Sequence, residues 1–148
     1  MLVVAVVLLV RTLVLAPERV LSDSMEPTLG VGDVVIVDKV TWRFANPRRG
    51  DVVTFTLPGD GEDFVKRVVG LPGDRIAIED AVLKVNGVEV REPYVDHSRI
   101  DALYFGPVVV PEGHLFVLGD NRFGSIDSRV YGPIPLSSVD GRVVFTIG

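Results

Sequence analysis

Beyond Pro17 the chain is a succession of short runs rich in valine and isoleucine, most of them bounded by a glycine or a proline. This pattern constrains the fold more than any other feature. Branched side chains lose rotamer freedom in a helix but suit a pleated, half-buried surface, and the runs are too short for a 3.6-residue period to develop. Thirty of the 148 residues are valine, and 15 Gly with 10 Pro supply the turns. Strands are expected at Asp33–Val40, Asp51–Leu57, Glu62–Val69, Arg75–Glu79, Val82–Val85, Val88–Val90, Leu115–Leu118 and Gly141–Ile147. Val85-Asn86-Gly87-Val88 carries a two-residue hairpin signal. Five Gly-Asp dipeptides mark further turns without a fixed period, so no repeat architecture is implied. The expectation is one all-β domain of packed or partly closed antiparallel sheets, since a chain of this length holds one core.

Composition removes several kinds of chemistry. The chain has no cysteine, which excludes a disulfide framework, a thiolate zinc site and a cysteine nucleophile. Only His97 and His114 could supply imidazole, and both lie in polar or turn-forming surroundings, where a solvated loop residue is the simpler reading. The net charge of −5 disfavours nucleic acid as a partner. Twelve of the fifteen basic residues are Arg, which leaves Lys39, Lys66 and Lys84 as the only lysines.

Residues 1–16 are apolar except for Arg11 and Thr12, whereas residues 18–148 carry 34 of the 35 charges. A cleaved secretory signal conflicts with Pro17 just after Val14-Leu15-Ala16. A buried core helix should show a polar stripe, and residues 2–10 have none. An uncleaved membrane anchor over residues 1–17, with Arg11 reaching the interface, fits best. The run is shorter than the roughly 20 residues that cross a bilayer. Arg11 and Arg19 follow it and no basic residue precedes it, so the positive-inside rule alone would hold the domain in the cytoplasm. A basic N-terminal extension would remove both difficulties. Residues 18–148 form the expected β-domain.

Two segments could carry chemistry. In Ser22-Asp23-Ser24-Met25-Glu26-Pro27-Thr28-Leu29 two hydroxyls flank one residue, although a polar linker would look the same. A serine nucleophile needs a base, and with His discounted that base would be a neutral lysine. In Phe64-Val65-Lys66-Arg67-Val68-Val69 the two-residue period puts Lys66 on the face of Phe64 and Val68. Apolar neighbours would lower its pKa, unless that face is simply exposed. Lys39 and Lys84 read as surface charges. A dense polar loop follows at Gly119-Asp120-Asn121-Arg122-Phe123-Gly124-Ser125-Ile126-Asp127-Ser128-Arg129, where Asp127 and Arg129 are spaced to pair locally or to reach elsewhere.

Together these motifs resemble bacterial type I signal peptidases, membrane-anchored Ser/Lys endopeptidases. The resemblance rests on Ser22–Leu29, on Gly32-Asp33 with its strand, on Lys66-Arg67-Val68-Val69-Gly70-Leu71-Pro72-Gly73-Asp74, and on the loop from Gly119 to Arg129. Arg11-Thr12-Leu13-Val14 also looks like that family's exit from the anchor. Carried over by position, the resemblance implies Ser24 as nucleophile and Lys66 as general base. Ser22 would join the Ser24 backbone N–H in the oxyanion hole, Ser125 would orient the lysine amine, and Asp127 with Arg129 would support the loop. No cofactor or metal is implied.

The implied reaction is removal of signal peptides from preproteins emerging at the translocon, by a domain on the outer face of the cytoplasmic membrane. The oligomeric state is left open. The substrate would add as an extended strand, with small side chains such as Ala at the first and third positions before the cut. Residues near Met25 and on the strand leading to Lys66 would line its pockets. Apolar residues near Met25 and Leu29 are expected to meet the bilayer. Leu21, Asp23 and Phe123-Gly124 depart from the family's usual residues, and Asp23 puts a carboxylate beside the nucleophile. A specialised pilin-like or conjugation processing enzyme, an SOS-repressor-type self-cleaving protein and a non-enzymatic tethered β-domain remain alternatives; the apolar anchor argues against the self-cleaving type.

Overall fold

The computed structural model describes the backbone of residues 1–148 and the side chains of all but residues 10–13, so the expected placement of Arg11 at a membrane interface lies outside the described residues. The first helix, α1, spans Leu2–Val14, which at 1.5 Å per residue is roughly 20 Å. No helix among the described residues is long and apolar enough to cross a membrane.

The helix runs directly into β1 (Leu15–Arg19), so the expected division after residue 17 falls inside a strand. The strands that follow are β2 (Val34–Asp38), β3 (Val52–Thr56), β4 (Asp63–Gly70), β5 (Arg75–Glu79), β6 (Val82–Val85), β7 (Val88–Glu89) and β8 (Phe105–Val109). Then come β9 (His114–Leu118), a one-turn helix α2 (Ser128–Tyr131), β10 (Ile134–Pro135) and β11 (Val139–Ile147). Every expected strand is present within one or two residues of its expected ends.

All pairings are antiparallel. A seven-stranded sheet has the order β1-β2-β11-β3-β4-β9-β10, and a four-stranded sheet has the order β7-β6-β5-β8. Register shifts in β11 and at Val68/Gly70 add local twist and let the larger sheet curl. The hairpin between β6 and β7 turns on Asn86 and Gly87, both at positive φ, as the Asn-Gly signal requires.

Three apolar clusters hold this arrangement. One joins β3, β4, β9, β10 and β11 around Phe55 and Trp42. A second fastens the four-stranded sheet to β4 and β9 through Ile76, Ile78, Leu83 and Phe116. The third packs Val20, Met25 and Leu29 on Val35 and Val37 of β2. Met25 and Leu29 are therefore core residues, and the exposed apolar side chains near them are Leu21 and Val31. Burying Met25 and Leu29 contributes about 1.5–3 kcal/mol each, which fixes the segment that carries Ser24.

Candidate active site

Ser24 lies in an excursion between β1 and β2 that closes where it began. Val20 N–H donates to Asp33 O (2.8 Å) and Gly32 N–H to Val20 O (2.9 Å). Met25 points into the core, so its neighbour Ser24 sits at the edge of the third cluster, 7% exposed. Lys66 arrives from β4, opposite Val53 of β3. The open question of whether its face is exposed has a clear answer: Lys66 is 3% exposed.

The Lys66 Nζ lies 2.7 Å from Ser24 Oγ and 3.1 Å from the carbonyl of Val65. Burial pushes its pKa down to about 8, against the opposing pull of the negative charges on Asp127 and Asp23. At pH 7 roughly a tenth is already the neutral amine that can take a proton from Ser24, and that share grows as the pH rises. Ser22 Oγ donates to Ser24 Oγ at 3.2 Å.

The loop from Gly119 to Arg129 clasps this pair from behind. Asn121 N–H donates to Ser24 O (3.1 Å) and its side-chain amide to Asp23 O (3.1 Å). Asp127, fully buried, accepts from Gly119 N–H (3.0 Å) and from Arg129 through Nε (2.9 Å) and Nη2 (3.0 Å). Asp127 and Arg129 therefore form a local ion pair, and Arg129 also reaches Asp101 (2.7 Å).

The expected hydrogen bond from Ser125 to Lys66 is not formed. Ser125 Oγ is buried with no hydrogen-bond partner among the described residues, packed against Gly119, while Lys66 is engaged by Ser24 and Val65.

Four charged groups beside the site carried no assigned role in the sequence. Arg67, next to Lys66, makes a two-pronged ion pair with Asp120 (2.8 and 2.6 Å), which also accepts from Thr28 Oγ. Arg122 is paired with Glu92, both enclosed. These partners lie 53 and 30 residues apart in the chain, beyond any local pattern. Lys39 and Lys84 bond Glu18 and Glu79 at the surface, as expected.

The chain has relatives among known proteins. The family model described as Signal peptidase, peptidase S26 matches residues 1–147. A signal peptidase I of Bacillus caldolyticus is 40% identical, over 96% of this chain and 84% of that protein. A probable signal peptidase I-2 of Synechocystis sp. is 38% identical over 90% of this chain, and a probable chloroplastic thylakoidal processing peptidase 2 of Arabidopsis thaliana is 41% identical over 96% of it. The chain spans 63% and 40% of the length of those last two relatives. A crystal structure of a signal peptidase I from Enterococcus faecalis superposes with a TM-score of 0.59 and 34% identity, covering 68% of this chain and 98% of that one. With the family model matching residues 1–147 of its 148 residues, the chain belongs to the signal peptidase family, peptidase S26.

Proposed function

We propose that this chain is a serine endopeptidase that removes signal peptides from translocated preproteins, with Ser24 as nucleophile and Lys66 as general base. The observation that carries the reading is the 2.7 Å separation of Ser24 Oγ and Lys66 Nζ, both residues being buried. A binding module has no use for a buried lysine, its pKa lowered by burial, beside a serine.

The chemistry runs in two halves. The Lys66 amine takes the Ser24 proton as Oγ attacks the scissile carbonyl. The Ser24 N–H and the Ser22 hydroxyl stabilise the oxyanion, each worth about 3 kcal/mol where prealigned. For that, the Ser22 hydroxyl turns from Ser24 Oγ to the substrate oxygen. The Lys66 ammonium then protonates the departing amine, leaving an acyl-enzyme on Ser24, and the neutral amine activates the water that hydrolyses it. Ser125, with an uncommitted buried hydroxyl, is the group available to orient the amine through this cycle. Asp127 and Arg129 keep the loop rigid.

Substrate would lie extended along the sheet, its main chain hydrogen-bonded as an added strand, with Ala-sized side chains at the first and third positions before the cut. Membership of a membrane-associated family fits residues 1–17 as the anchor, with the catalytic domain on the outer face of the cytoplasmic membrane, where preproteins leave the translocon.

The test is cleavage of a preprotein bearing an Ala-x-Ala site. Ser24→Ala and Lys66→Ala each lower the rate by about 1,000-fold or more while the fold persists. Retained cleavage by either variant overturns the dyad.

A further inference from the structure

We propose that Glu92-Pro93-Tyr94, in the connection between β7 and β8, is a brace that sets the distance between nucleophile and base, with Glu92 and Tyr94 as positioning residues. The inference rests on the reading of Ser24 and Lys66 given above.

Glu92 acts on the nucleophile side. Its carboxylate, wholly enclosed, receives Nη1 and Nη2 of Arg122 at 3.0 and 2.5 Å. Arg122 Nε in turn donates to Gly119 O at 2.9 Å, while Gly119 N–H is held by Asp127 at 3.0 Å. The peptide groups on both sides of Gly119 are thus fixed. Two residues later Asn121 N–H holds the carbonyl of Ser24. Any shift of this loop is passed to the nucleophile.

Tyr94 acts on the base side. Its ring centre lies 3.9 Å from the guanidinium carbon of Arg67, the residue after Lys66. Through its N–H groups, in its own plane, that guanidinium grips Asp120 and the carbonyl of Gly50. Asp120 completes the link by accepting from Thr28, four residues beyond Ser24. Glu92 and Tyr94, two residues apart, therefore brace two arginines, one tied to the loop that holds Ser24 and the other next to Lys66.

A buried ion pair is a poor source of stability, because an apolar pair of similar volume often does as well. What Glu92 and Arg122 supply is direction. Proton transfer needs a separation near 2.6–3.2 Å, and a displacement of ~1 Å can cost ~100-fold in rate.

The experiment compares the full chain with Tyr94→Leu, Tyr94→Phe and the double variant Glu92→Met/Arg122→Met, on an Ala-x-Ala peptide across pH. Tyr94→Leu should lower kcat about tenfold with KM within about twofold. The acid limb of its profile should rise in pH as Lys66 regains hydration, the charges of Asp127 and Asp23 being unchanged. Tyr94→Phe, which keeps the ring, should restore both kcat and limb. The double variant should keep its thermal midpoint and lose about 100-fold in kcat. Wild-type kcat and limb in Tyr94→Leu would overturn the brace, as would a rate that falls only in proportion to unfolded protein at every pH. Should the double variant fail to fold, the Tyr94 pair decides alone. A wild-type chain that leaves the peptide uncut refutes the Ser/Lys reading instead.

Discussion

Lys66 and Ser24 meet at 2.7 Å although 42 residues separate them, and the lysine does so 3% exposed and without a carboxylate in contact. Its pKa, lowered by burial to about 8, sets the acid limb of catalysis. Only the neutral amine is a base, so kcat/KM should rise with pH to about 8 and level above it. Initial rates on a peptide substrate between pH 6 and 10 measure this. A maximum in acid would assign the chemistry to carboxylates.

Asp23, the residue between the two serines, opposes that lowering through its negative charge. Asp23→Asn should therefore move the limb to lower pH and raise the rate at pH 7 about twofold in dilute buffer. The carboxylate is exposed, so roughly 1 M salt should erase most of the difference. An unchanged limb at low salt would mean that Asp23 does not act on the lysine.

The same burial makes Lys66 costly to the folded state. With a folded pKa near 8 against 10.5 for an ordinary lysine, the native protein releases its proton first on raising the pH. Stability thus rises across that interval, and the full penalty applies below it. Lys66→Met should be more stable than wild type by about 3 kcal/mol at pH 7, an advantage that fades toward pH 10.5. Denaturant melts at pH 7 and 10 test the sign. A less stable variant at pH 7 would show the amine to be well accommodated as a cation.

Strand positions were legible wherever alternation and turn residues agreed, and the exceptions share one cause. The strands missed, β1, β8 and β10, contain Pro17, Pro107 and Pro135, and proline in a run argues against a strand. Each of them is an edge strand, the one place where a missing N–H costs no ladder bond. At the site, Ser24, Lys66 and the loop from Gly119 were readable from residue type and order. The braces were not. Glu92 and Arg122, like Arg67 and Asp120, look like ordinary surface charges until the sheets curl them together.

Gly119 offers the sharpest test of that closeness. A Cβ there would lie 2.2 Å from Ser125 Oγ and 2.5 Å from the carbonyl oxygen of Ser24. The hydroxyl can turn away, but the carbonyl belongs to the nucleophile's own backbone. Gly119→Ala must therefore push the loop off the Ser24 turn and break the bond from Asn121 N–H. Overpacking of this kind costs about 1–3 kcal/mol of stability, and the loss of alignment should cost about 100-fold in kcat. Adding Ser125→Gly removes the clash with that side chain and leaves the one with the carbonyl, so Gly119→Ala should still cost about 100-fold in kcat when measured against Ser125→Gly alone. A double variant as active as Ser125→Gly would locate the constraint at Ser125 alone and release the Ser24 carbonyl from this role.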